Sequence, residues 1–181
     1  MSRRFGEIRQ IAFVVRDVER AMRYWIETLG VGPFFVLREI TPDTFRYRGA
    51  LSPAPTLTIG FANSGKLQVE LIQQHDDRPS AYRDFLASGR EGLQHVSSWL
   101  TRAEYDATMT QALAAGAVVA HEGAMAGGGV RFAYFATDTE AGGLMYEIAD
   151  VAEPAVFPLM QMIADAAQGW DGSAPIRELR L

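Results

Sequence analysis

The stretch QIAFVVRDVERAMRYWIETLG, residues 10–30, decides the fold. In its first part Ile11, Phe13 and Val15 alternate with Gln10, Ala12 and Val14, the period of a β-strand whose two faces meet different surroundings. From Val18 the spacing changes: Val18, Met22, Trp25, Ile26 and Leu29 recur at helical intervals, with Asp17 placed to cap the helix and Gly30 to stop it. A strand runs straight into an amphipathic helix. The same order returns at LQHVSSWLTRAEYDATMTQALAAG, residues 93–116, where Tyr105, Met109, Ala112 and Leu113 form the apolar side and Gly116 the stop.

Each strand–helix pair is followed by short runs rich in β-branched and aromatic residues, bounded by Pro, Gly, Asn or Ser. These are PFFVLREI, TFRYRGA, TLTIGFA and KLQVELIQ after the first helix, and AVVAHEGA, VRFAYFA and LMYEIAD after the second. The chain therefore reads as a duplicated β-α-β-β-β unit, an α+β fold in one domain over residues 1–181. Module 1 covers about 8–75, a linker 76–91 holds a short helix from Ser80 to Ser88, module 2 covers about 92–150, and an extension occupies 151–181. AGGGV, residues 126–130, has hairpin-turn chemistry and lacks the spacing of a phosphate loop.

Composition excludes several classes. A net charge of -5 and a pI near 5.2 give no basic footprint for nucleic acid or an anionic membrane, so the expected partner is a small molecule. Cysteine is absent, which removes disulfides, thiolate ligands and cysteine nucleophiles, and Lys66 is the single lysine. No run approaches the ~18 apolar residues of a membrane span, and IAFVV is shorter than a signal-peptide core, so a soluble, cytoplasmic protein is expected.

Alternation places one anomalous polar residue on the first and last strand of each module, on the face the helix does not cover: Gln10 and Glu70 in module 1, His95 and Glu147 in module 2. A carboxylate such as Glu147, beside Met145 and Ala149, costs free energy on a buried face unless it is paired, hydrogen-bonded or bound to metal. If the two sheets curl together, the four residues share the inside of a cup. Their N and O donors suit one divalent Zn, Ni, Co, Mn or Fe ion.

QIAFVVRDVERAMRYWIETLG, LQVELIQ, GLQHVSSWL and GGLMYEIAD together resemble the vicinal oxygen chelate superfamily, which includes glyoxalase I, methylmalonyl-CoA epimerase, extradiol dioxygenases and bleomycin-resistance proteins. The resemblance implies a U-shaped cup of paired modules and a metal held by Gln10, Glu70, His95 and Glu147, a set similar to that of a Gln-type glyoxalase I. It further implies a metal-dependent lyase or isomerase that enolises a small substrate with vicinal oxygens, Glu147 being the catalytic base. The alternatives are a non-catalytic, bleomycin-resistance-like binding protein, an acyl-CoA epimerase or an extradiol dioxygenase. The dioxygenases use two histidines and one carboxylate, and here His75 and His121 fall outside the matched positions. The epimerases carry a second glutamate where Ala54 stands in this chain.

Ser97 and Trp99 share the face of His95 and are candidates to line the cup; Arg46, Arg48 and Arg131 are candidates to hold an anionic substrate group. In the extension, Val156, Leu159, Met160 and Ile163 form a helical stripe, with Phe157 and Trp170 as anchors. This apolar surface is the basis for expecting a homodimer, against the alternative that the helix packs on its own module.

Overall fold

The computed structural model describes residues 2–136 and 143–179. Strand β1 (Ile8–Val14) leads into helix α1 (Val18–Glu27), then β2 (Phe34–Ile40), β3 (Thr44–Tyr47), β4 (Ala50–Leu51), β5 (Leu57–Ser64) and β6 (Leu67–Gln74). After α2 (Ala81–Ala87) the second module runs β7 (Gly92–Trp99), α3 (Arg102–Ala114), β8 (Val118–Met125), β9 (Val130–Ala136) and β10 (Met145–Ala149), followed by α4 (Phe157–Ala166) and β11 (Ile176–Glu178). The helices start where the sequence provides caps. Asp17 accepts from the Arg20 N–H, Ser80 from that of Arg83, and Thr101 with Glu104 closes a capping box.

The strands form one sheet in the order β11-β2-β5-β6-β1-β7-β10-β9-β8-β3-β4. Each module contributes four neighbours, with its first strand parallel to its last (β1 with β6, β7 with β10), and the modules join through antiparallel β1 and β7. This is the duplicated β-α-β-β-β arrangement expected from the repeat. Helix α1 covers one outer face, where Val18 and Met22 pack on Phe34, Val36, Val69 and Leu71; α3 covers the other, where Tyr105 and Ala112 meet Ala133, Phe135 and Ile148. On α3 the buried stripe is Tyr105, Thr108 and Ala112, and Leu113 is 51% exposed, since it lies about 100° round the helix from Ala112.

The inner cluster lies between the modules. Ile59 and Ile72 meet Phe132 and Tyr134 across it, and α2, which the sequence places in a linker, inserts Tyr82, Phe85 and Leu86. TFRYRGA does not stay within its own module: β3 and β4 form a hairpin that crosses to the other, where β3 pairs with β8. The crossing needs Gly123. A Cβ there would lie 2.5 Å from the Thr44 carbonyl oxygen and 2.7 Å from the Phe132 ring.

The extension turns inward. Val156, Leu159, Met160 and Ile163 all line the mouth of the chain's own cup, and Ile163 is fully buried. Trp170 lies over Gly32, while β11 pairs with β2 and closes that sheet edge through the Phe34 N–H to Pro175 oxygen bond of 2.8 Å. The stripe behind the homodimer expectation thus faces the chain's own cavity, with Ile163 buried and Val156, Leu159 and Met160 half-buried. Among the described residues no helix is long and apolar enough to cross a membrane.

Gly123→Ala should destabilise the fold by about 1–3 kcal/mol, because overpacking must push the β3 backbone off β8. Urea unfolding of the two proteins measures it, and an unchanged midpoint would show that the crossing tolerates a side chain.

Candidate active site

Strand register builds the site in two rungs. Gln68, Gln10, Ser97 and Glu147 are successive partners across β6, β1, β7 and β10, and the next rung is Glu70, Ala12, His95 and Met145. Glu70 and His95 stand two strands apart, about 9–10 Å at the backbone. Only the methyl group of Ala12 lies between them, so their side chains lean together over it. Glu70 Oε2 comes to 3.4 Å from His95 Nε2, and Glu147 Oε2 reaches the same nitrogen at 3.7 Å.

A β-bulge fixes the histidine. Between the pairs Ala12–His95 and Phe13–Leu93 the register slips by one residue, which leaves Gln94 unpaired on β7 and free to turn inward. Its Oε1 stands 2.6 Å from His95 Nδ1, while its amide nitrogen faces the Ala81 carbonyl oxygen at 3.5 Å and Met145 Sδ at 3.3 Å. An amide oxygen only accepts, so Nδ1 carries the proton and Nε2 presents a lone pair to the carboxylates. The Tyr134 hydroxyl, which receives a 2.9 Å bond from Tyr82, also lies 3.2 Å from Nε2.

Burial sets the charges. Glu70 is pushed up to about 8 by desolvation, and its Oε2 has no hydrogen-bond donor among the described residues, as the tautomer of His95 requires. Glu147 is pushed up to about 7, chiefly by desolvation, with His95 opposing and Glu70 adding to the rise. His95 is pulled down to about 4 by desolvation against the attraction of Glu147. Among the described residues neither carboxyl has an arginine or lysine partner, the situation that a bound metal relieves.

The other sequence candidates divide by location. Gln10 is buried, lines the cavity above the two rungs and donates to Gln68 Oε1 at 2.8 Å. Ser97 is fully buried with its hydroxyl against the Glu147 carboxyl, and Trp99 forms part of the cavity wall. The arginines lie elsewhere: Arg46 donates to the Gly49 carbonyl, Arg48 pairs with Asp84 at 3.0 Å, and Arg131 pairs with Asp150 at 2.7 Å and Asp106 at 2.8 Å. None of the three lines the cavity.

Sequence reasoning missed Gln94, Tyr134, Tyr82 and His121. His121 Nδ1 accepts the Ala81 N–H at 3.2 Å at the start of α2, its ring packs 4.2 Å from that of Tyr134, and its Nε2 has no partner among the described residues. Burial, with His95 nearby, pulls it down to about 3. Its alternation on β8 signals an inward face; nothing in the sequence joins that face to β7.

The sequence matches the Glyoxalase/Bleomycin resistance protein/Dioxygenase superfamily over residues 9–135. The chain belongs to this superfamily. Solved structures share the superfamily fold at low identity. A hypothetical protein from Bacillus halodurans is 17% identical with TM-score 0.54, the match covering 80% of this chain and 93% of that one. Methylmalonyl-CoA epimerase from Mycobacterium tuberculosis is 15% identical with TM-score 0.54, covering 83% and 91%. A variant of the Streptomyces coelicolor methylmalonyl-CoA epimerase, in complex with 2-nitronate-propionyl-CoA, is 17% identical with TM-score 0.51, covering 82% and 99%. No curated protein sequence matches this chain. Within the superfamily cup, the buried carboxylates and imidazole described above occupy the floor.

The shifted groups predict a pH dependence for the metal-free protein. Glu70 and Glu147 bind protons more tightly folded than unfolded, so their contribution is present below the unfolded carboxyl value near 4.5 and is lost as pH rises through 7 and 8. His95 and His121 act oppositely, but only below their unfolded value near 6.5. Between about pH 6.5 and 8 stability should therefore fall as pH rises, and chemical denaturation across that window checks it; a flat or rising profile would contradict the buried, unneutralised carboxylates.

Proposed function

We propose that this chain is a metal-dependent lyase or isomerase that removes a proton next to a carbonyl group of a small substrate with vicinal oxygens. The observation that carries it is the convergence of Glu70 and Glu147 on the unprotonated nitrogen of a buried, oriented histidine. Among the described residues no three His, Asp or Glu side chains form a ready-made cage, yet the donor set fits a first-row ion. Separations of 3.4 and 3.7 Å from one histidine nitrogen to the two carboxyl groups would let all three serve a single ion. Glu70, His95 and Glu147 would hold the metal from the floor and Gln10 from the cavity side.

When bound, the metal supplies polarisation of the substrate carbonyl and stabilisation of the negative charge that proton removal develops. The chain does the rest. Gln94 would keep the imidazole in the ligating tautomer, the Glu147 carboxylate would take the carbon-bound proton and return it at the neighbouring atom, and Glu70 would hold its place on the floor. The apolar walls above exclude water while the proton is held. Glu70 and Glu147 converge on one nitrogen rather than facing each other across the cavity, which favours transfer by a single base over epimerisation by two.

Glu147→Gln should reduce turnover by about 10²–10⁴ while leaving the melting temperature close to that of the parent. Activity on the turned-over substrate with a calorimetric scan checks both, and full activity would remove Glu147 as the base. Gln94→Leu should weaken metal affinity about 10–100-fold by freeing the His95 tautomer, measured by competition with a chelator. Metal analysis after purification without chelators, followed by reconstitution with Zn, Ni, Co or Mn, tests the reading as a whole: protein that takes up none of them would overturn it.

A further inference from the structure

The cavity above the site has a volume of about 250 Å³. Its only polar lining groups, among the described residues, are the floor residues Gln10, Gln68, Glu70 and Glu147. Everything else in the wall is apolar, with Phe61, Trp99 and Phe132 as broad aromatic surfaces and Leu159, Met160 and Ile163 of α4 across the mouth. No arginine or lysine side chain lines it among those residues. At the packing density of protein interiors such a volume holds a body on the order of a dozen non-hydrogen atoms.

The charged groups nearest this wall sit outside it. Arg9 and Lys66 line a separate surface groove on the far side of Trp99 and Met160, residues that border both spaces. The Arg9 guanidinium lies over the Trp99 ring at 5.2 Å and pairs with Glu7 at 3.7 Å. An anionic group inside the cavity would lose its hydration, meet no cation of the wall, and face two carboxylates from above. With a divalent ion between those carboxylates the floor carries no net charge, so it favours a neutral chelating pair of oxygens over an anionic one.

We infer that the cup takes a small, uncharged, flat aromatic or cyclic compound carrying vicinal oxygens, and not an acyl-CoA thioester or a glutathione adduct. This substrate class rests on the proposed reading of the floor as the oxygen-binding end. The aromatic walls sandwich the body, α4 closes over it, and the two oxygens point down toward Glu70, His95 and Glu147. The nucleotide of a CoA thioester would have to leave past Met160, where the groove beyond offers the exposed Lys66 and a half-buried Arg9 already paired with Glu7.

Direct binding separates this inference from the chemistry. The full chain, with Ni(II) or Zn(II) and again with chelator, is titrated calorimetrically with 1-phenyl-1,2-propanedione, with phenylglyoxylate as its anionic counterpart, and with propionyl-CoA. The neutral dione should bind at least about tenfold more tightly than either anion in the presence of metal. Leu159→Arg should reverse the order of dione and phenylglyoxylate, and Leu159→Trp, which fills the space with an apolar group, should abolish dione binding; thermal melting of each variant verifies folding. Dione binding without proton exchange at carbon would sustain the substrate class and count against the enolising chemistry. Equal or tighter binding of propionyl-CoA or phenylglyoxylate to the parent chain, or no binding of the dione, would overturn the inference.

Discussion

The antiparallel pairing of β1 with β7 is the contact on which the site depends. It joins two modules that each have a helix on the outside, and so forces their uncovered faces to look at one another. It also sets the rungs: because Ala12 partners both Glu70 and His95, a carboxylate from one module and an imidazole from the other meet over a single methyl group. A larger side chain at that position would hold them apart. The register shift in the same pairing frees Gln94 to orient His95, so geometry between the modules and chemistry on the floor have one origin.

The floor is expensive to fold. Two carboxylic groups raised by burial, a neutral histidine held low and a second buried histidine with an unpartnered nitrogen are all features that a stability-driven sequence would replace with apolar residues. Their cost is carried by the inner cluster, where Tyr82, Phe85 and Leu86 of α2 interlock with Phe132 and Tyr134. Tyr82 and Tyr134 do both jobs, since their rings pack while their hydroxyl groups form the chain that ends at His95.

Much of this is legible in the sequence because it follows from local periods. The strand–helix repeat, the caps at Asp17, Ser80 and Thr101, and the common face of Gln10, Glu70, His95 and Glu147 need only alternation and helical spacing. What escapes is pairing. TFRYRGA reads as a strand, but its own residues do not say that its partner is β8 in the other module. Gln94 carries no signal of its own, because the bulge that turns it inward breaks the alternation of β7. The stripe on α4 is equally compatible with a partner chain and with the chain's own cavity, and only the fold shows it turned inward. The arginines, attractive as anion holders in the sequence, are paired with Asp84, Asp106 and Asp150 or bonded to a turn carbonyl on the outer surface.

The closing strand β11 has a consequence for how the molecule is made. It completes the outer edge of β2, and the contact of Arg38 with Glu178 joins positions 140 residues apart. While the chain is being synthesised, the first module can cover its outer helix face and pair β1, β5 and β6, but β2 keeps an open row of backbone donors and acceptors until the far segment arrives. A nascent chain must therefore wait with a sticky edge exposed, and the same late segment that seals the edge lays α4 over the cavity. Maturation of the binding site and protection from wrong strand pairing are thus completed together, by the part of the protein that lies outside the repeat.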